Sequence, residues 1–290
     1  MPHPSLPDNT HIGSIHLRVA DLKRGLSFYC DLLGFQQIRT DAGTAYLSPS
    51  GELPAVILLS EDAHARPRPP RTTGLYHVAI RLPNRVELAR VLTRFIDYRY
   101  PLHGAADHLV SEALYLSDPE GNGLELYCDR NPDDWPRQNG QIAMATDPLD
   151  FPDLLKQAKV NPDPWQHIHS DTDIGHVHLS VSDLHRSEGF YAGLLGFDIT
   201  QRSYPGALFL SAGGYHHHVG MNIWESRNAP PPPAGSTGMI SFEINIPDDS
   251  SRRETRAHLD SNGVVSEKIT ESSDSTTILF IDPDSIRVQI

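Results

Sequence analysis

Apolar and polar residues alternate from Ser14 to Val19 (SIHLRV) and again from His176 to Val181 (HVHLSV); two residues beyond each run stands an Asp, after which the apolar spacing becomes helical. A period of two followed by one near 3.6 predicts a strand that turns into a helix. Asp21 and Asp183 are the expected N-caps, since their carboxylates can accept from the free N–H groups of a first turn. Each helix carries Leu, Phe and Tyr on one face and should close at Gly34 or Gly196, where a residue without Cβ can take the left-handed conformation that ends a helix. Three short strands should follow, for example Ala45–Leu47, Ala55–Leu59, Ala207–Ser211 and His217–Trp224.

The pattern recurs because the chain repeats itself. Ile12–Phe35 and Ile174–Phe197 match at 14 of 24 positions, 162 residues apart. Gly74–Asn84 and Gly238–Asp248 lie 164 apart, as do Asp118-Pro119 and Asp282-Pro283. A weaker echo within each half divides the chain into four modules, 11–60, 74–128, 173–225 and 238–290, each reading strand, helix, then three strands. Modules 2 and 4 should carry helices near Arg85–Asp97 and Ser251–Asn262 before strands ending in Leu124–Tyr127 and Arg287–Ile290. The expected architecture is α+β, with a first half over 11–129, a connector over 130–172 holding a short helix (Asp153–Ala158), and a second half over 173–290. Pro230–Pro233 reads as a stiff link between modules 3 and 4.

Composition narrows the function. A chain of 290 residues can form two compact domains, and 38% hydrophobic with 21% charged residues is ordinary for a globular protein. Lys plus Arg at 24 against Asp plus Glu at 37 leaves a net charge of −13, which repels a phosphate backbone, so nucleic acid is not an expected partner. The first residues, MPHPSLPDNT, lack the apolar core of a signal peptide, and no stretch reads as a membrane span, so a cytoplasmic protein is expected. Two cysteines, Cys30 and Cys128, are too few for a disulfide framework and read as buried free thiols.

The series Leu17, Val19, Asp21, Leu22, Phe28, Tyr29, Leu33, Gly34, Phe35, followed by Asp118-Pro-Glu-Gly-Asn-Gly123 and Glu125-Leu126, resembles the vicinal oxygen chelate superfamily, which includes glyoxalases, fosfomycin-resistance proteins and extradiol ring-cleaving dioxygenases. Four modules look like its two-domain catechol 2,3-dioxygenase branch, and the resemblance covers nearly the whole chain. It implies βαβββ modules that pair into cups of curved sheet around one divalent metal. It also places the ligands on the first strand of each module, seven residues before the helix cap, and on the last strand of one module. Those positions are Ser14, His77, His176 and Ser241, with Glu125 and Gln289.

Pairing modules in chain order would leave neither cup a full set. Pairing 2 with 3 and 1 with 4 gives one complete set, His77, His176 and Glu125, and one vacated set, Ser14, Ser241 and Gln289. Two imidazoles and one carboxylate suit Fe(II) first and Mn(II) second, with open positions for substrate and O₂. Ser and Gln are poor ligands, so the second cup is expected to hold no metal.

The resemblance further implies a second-sphere acid/base histidine on a late strand of module 3. His217 matches best, with His216 and His218 on the opposite face if the strand alternates. Tyr115 stands ten residues before Glu125, at the spacing of the family's active-site tyrosine, and His103, Asp107 and His108 precede it as pocket candidates. His178, two residues past a ligand on the same strand face, is a further pocket-lining group, with His16 its counterpart in the other cup. Together these imply a metal-dependent extradiol dioxygenase that opens a catechol-type diol with O₂. The alternatives are a glyoxalase-like lyase or isomerase, in which the metal only polarises a carbonyl or enediolate, and a binding protein without catalysis. One chain can build a complete site alone, and oligomeric state stays open.

Overall fold

The computed structural model describes residues 5–161, 163–272 and 275–290. The chain forms two eight-stranded sheets. At the centre of the first, strands Gly74–Leu82 and Asp173–Ser180 run antiparallel; at the centre of the second, His11–Val19 pairs the same way with Gly238–Asn245. Modules 2 and 3 therefore share one sheet and modules 1 and 4 the other, as the distribution of ligand positions required.

Within every module the first strand runs parallel to the last, and the two intervening strands complete an antiparallel meander to the sheet edge. A parallel first-to-last pair needs a crossover, and the helix after each first strand begins it. Each sheet curls into a cup. One continuous apolar core joins the strands of both sheets to the helices, including Ile15, Leu17, Val78, Ile80, Val177, Leu179, Phe242 and Ile244 from the first strands and Phe28, Leu88, Phe190 and Leu259 from the helices.

Local chemistry explains the elements. Asp21 accepts from Arg24 N and Asp183 from His185 N and Arg186 N, so both caps form. The helices they start are only five residues long, Leu22–Leu26 and Leu184–Glu188, and each runs on into a π-helical turn, Ser27–Leu32 and Gly189–Leu194. Gly34 and Gly196 then take φ of 87° and 93°, which ends them as anticipated. Asn84 caps the helix Arg85–Asp97 and Asp248 caps Asp249–Ser261. The connector helix spans Phe151–Gln157, two residues earlier than its composition suggested, because Asp150 is the cap and Pro152 fits the first turn.

A repeated lock ties each half together. Asp118 accepts from Glu120 N, Asn122 N and, at 3.0 Å, the buried Tyr29 hydroxyl of module 1. Asp282 accepts from Asp284 N, Ile286 N and, at 3.0 Å, Tyr191 of module 3. Hydrogen bonds thus join modules 1 to 2 and 3 to 4, while the sheets join 2 to 3 and 1 to 4. Cys128 is buried and Cys30 partly so, both as free thiols. Among the described residues no helix is long and apolar enough to cross a membrane.

Candidate metal centre and its pocket

Three adjacent strands of the module 2 and 3 sheet bring His176, His77 and Glu125 together. Ala79 is the register partner of both His176 and Glu125, so its small side chain forms a floor over which the larger groups lean. Glu125 Oε2 lies 3.0 Å from His77 Nε2 and 3.3 Å from His176 Nε2, and the ligand atoms of all three residues lie within 4.8 Å of one another. All three side chains are buried.

The electrostatics suit a cation. Burial alone would push the Glu125 carboxyl up, but His176 and His77 hold it well below the usual range. Burial lowers His176 to about 4 against the opposing pull of Glu125, which leaves a neutral imidazole with a lone pair to give. His77 Nε2 makes no hydrogen bond despite its distance to Glu125, because the alignment is wrong for one. A buried polar atom left so costs about 1–3 kcal/mol. The misalignment and the shared approach of three donors fit a divalent first-row ion held between them.

Around this group lies a cavity of about 540 Å³. His178 lines it, buried, with its ring 4.9 Å from that of His77; burial, then His77, hold its proton affinity well below the ordinary histidine range. Tyr115 lines it from the strand beside Glu125, its register partner. His108 Nε2 meets the Tyr115 hydroxyl at 2.6 Å, and its Nδ1 meets Ala145 O at 2.6 Å, so of the two candidate histidines His108 is the one that engages the tyrosine. His103 is exposed and reaches the rim.

Asp107 does not line the cavity: its carboxylate pairs with Arg130 at 2.6 Å and caps Leu109 N. The histidine run also departs from expectation. The strand begins only at Val219, so residues 216–218 follow a tight Gly213-Gly214 turn and do not alternate. His216 and His217 both line the cavity, whereas His218 turns away, stacks on Tyr215 and receives the Ala212 N–H. The His217 ring lies 4.0 Å from that of His176, centroid to centroid, with the planes tilted by 46°.

Other residues at the site were not anticipated. Tyr76, Tyr204, Phe209 and Trp224 form an aromatic wall, with Tyr76 and Trp224 5.4 Å apart. Strict alternation would turn Tyr76 away from its neighbour His77, but a break in register after His178 on the facing strand lets both reach the pocket. Asp129 binds His216 at 2.9 Å and follows Glu125 by four residues on the same strand face. Ala79 had a legible signal, since the repeat sets it opposite Glu243.

In the vacated cup, Ser14 donates to Glu243 at 2.8 Å and His16 Nε2 lies 2.7 Å from Ser60 Oγ. Among the described residues His77, Glu125 and His176 form the one cluster with metal-ligand spacing.

The family model described as the Glyoxalase/Bleomycin resistance protein/Dioxygenase superfamily matches residues 11–126 and 173–290. A catechol-2,3-dioxygenase of Bacillus subtilis (strain 168) is 44% identical over 247 residues, covering 84% of this chain and 85% of the relative. A biphenyl-2,3-diol 1,2-dioxygenase of Rhodococcus globerulus is 28% identical over 114 residues, 39% of this chain and 60% of its own. Among solved structures, a putative dioxygenase of Bacillus subtilis superposes with TM-score 0.67 at 14% identity, covering 98% of this chain and 85% of that one. Glyoxalase I of Zea mays superposes with TM-score 0.60 at 17% identity, covering 97% and 92%. At these identities the structural likenesses concern the fold alone.

Proposed function

The chain belongs to the glyoxalase/bleomycin resistance protein/dioxygenase superfamily, and on that premise we propose that it is an extradiol dioxygenase that opens a catechol-type diol with O₂ at a metal held by His77, His176 and Glu125. The observation that carries this reading is the buried two-histidine, one-carboxylate set, backed by Tyr115 and His217 on opposite sides of one cavity. The 44% identical relative named for catechol cleavage supports the same chemistry.

When bound, Fe(II) or Mn(II) would supply Lewis acidity and electronic contact between the ring and O₂. The protein's own part follows from the side chains. Tyr115, held by His108, presents its hydroxyl beside Glu125 and is suited to hydrogen-bond a diol oxygen. Burial, then Glu125, raise its proton affinity well above the ordinary phenol value, so it stays a phenol; His108 donates from Nδ1 to Ala145 O and takes the phenol's proton on Nε2, which leaves the Tyr115 oxygen to accept from a diol hydroxyl. His217 faces the pocket as a neutral ring, because burial, then His176, lower it well below the ordinary histidine range, and its free nitrogen is suited to accept a hydrogen bond from a diol hydroxyl. The aromatic wall covers the ring and keeps water from it.

Metal analysis of anaerobically purified protein, with O₂ uptake on adding catechol, tests the reading. About one Fe or Mn per chain, lost with O₂ uptake in His77→Ala, His176→Ala and Glu125→Gln, is expected. Metal bound without uptake of O₂ across a panel of catechols would replace it with a non-redox lyase or isomerase, and no affinity for metal would leave a binding protein.

A further inference from the structure

His217 Nδ1 lies 2.8 Å from His216 Nδ1, and His216 Nε2 lies 2.9 Å from Asp129 Oδ1. The other Asp129 oxygen, Oδ2, accepts from the Tyr215 hydroxyl at 2.9 Å and from Arg81 at 3.4 Å. Tyr215 meets the Tyr127 hydroxyl at 2.6 Å, and Arg81 is clamped by two bonds to Asp173 at 2.9 and 2.5 Å. This approach of Tyr127 depends on Gly175, where a Cβ would stand 1.7 Å from the tyrosine oxygen. The carboxylate is thus braced from the side opposite the histidines.

A carboxylate only accepts, so the proton on His216 sits on Nε2. In a neutral ring its Nδ1 is then a bare lone pair, and the bond between the two histidines forms only if His217 donates from Nδ1. The one nitrogen of His217 left to the cavity, Nε2, is therefore unprotonated. We propose that Asp129 and His216 are positioning residues that hold His217 in the Nδ1–H tautomer, so that it meets a diol hydroxyl as an acceptor and not as a donor. Asp129 acts two rings away from the substrate, by the logic through which the aspartate of a Ser-His-Asp triad selects its histidine's tautomer. The use of the tautomer in turnover rests on the dioxygenase reading; its existence does not.

Asp129→Asn separates the two. Because Tyr215 and Arg81 both donate, the amide oxygen must face them and the amide NH₂ must face His216. That reverses the chain of donors: His216 becomes Nδ1–H and His217 becomes Nε2–H. The test is two-bond ¹H–¹⁵N correlation on metal-free protein labelled with ¹⁵N-histidine. Nδ1–H for His217 in the wild type, inverted in Asp129→Asn, is expected. His217 in the Nε2–H form in the wild type, or no inversion in the variant, overturns the proposal. For metal-loaded protein with unchanged metal content, the variant should lose about 100-fold in kcat with KM moved by no more than about twofold, the size of a buried hydrogen bond left unmade in the transition state. An unchanged kcat would overturn the positioning role. Wild-type protein inert toward every diol would defeat the dioxygenase reading while the spectra still decide the tautomer.

Discussion

The two sheets share strand order, helix caps and the Tyr–Asp lock, yet their concave faces carry opposite chemistry. One presents His77, His176, His178, His216, His217 and Glu125; the other presents Ser241, Ser14 and Gln289 at the ligand positions and His16 at that of His178. The floor differs as well. Where the first cup has Ala79, the second has Glu243, whose carboxylate takes the Ser14 hydroxyl. The two sheets share the same strand pairing, so what sets the cups apart is the side chains at four positions, His77, Ala79, Glu125 and His176. The cost is also local, because His77 Nε2, His176 Nδ1 and His178 Nε2 are all buried without hydrogen-bond partners in the first cup.

The largest effect expected is loss of function confined to one cup. His77→Ala, His176→Ala and Glu125→Gln should each abolish metal binding and lower turnover about a thousandfold or more. Ser14→Ala, Ser241→Ala and Gln289→Ala should leave elemental analysis and O₂ uptake within about twofold. Metal should also raise the melting temperature of the wild type, by mass action on the folded state, and not that of the ligand variants.

The converse experiment builds the missing site. Ser14→His, Ser241→His and Gln289→Glu combined with Glu243→Ala should bind a second metal per chain, read by titration with Mn(II). The same graft with Glu243 retained should not, since the Glu243 carboxylate occupies the floor and already engages residue 14. A second equivalent bound with Glu243 in place would show that the floor does not matter.

A smaller difference lies at Tyr115, whose counterpart in the repeat is Leu279. Tyr115→Phe should slow turnover about 10-fold, as for one lost hydrogen bond, with metal content unchanged. Leu279→Phe should leave the rate alone.

The smallest effect separates the two locks. Burial raises the Asp282 carboxyl to about 7, and raises Asp118 too. A carboxyl that binds its proton more tightly in the folded state contributes stability that is full below its unfolded value near 3.8 and is lost as pH rises through about 7. Asp282→Asn keeps an oxygen for the two backbone N–H groups and should flatten the fall in stability between pH 4 and 7, measured by urea unfolding. An unchanged pH slope would mean that Asp282 ionises in the folded protein as it does in the unfolded one.

The repeat made much of this legible. Four modules, the helix Arg85–Asp97 and both Asp caps follow from periodicity and spacing; the nested pairing follows from the uneven distribution of His, Glu, Ser and Gln over ligand positions that the family resemblance implied. What stayed hidden depends on departures from regularity. His216 and His217 share a side because they precede their strand, which alternation cannot report. Tyr76 enters the pocket through a break in register, Asp107 is drawn off by Arg130, and Asp129 matters through the ring it holds, a relation no spacing encodes.

The nested pairing also orders the birth of the molecule. Modules 2 and 3 are neighbours along the chain, so their seam can close once residues 74–222 have been made. Strand His11–Val19 must wait for Gly238–Asn245 before its central edge is covered, a loop of more than 200 residues whose closure is entropically costly and slow. The cup with the His–His–Glu set can thus assemble early, and the other cup closes last. Until then strand His11–Val19 keeps an unpaired edge, which makes its sheet, and not the one with the His–His–Glu set, the place where a nascent chain is open to wrong partners.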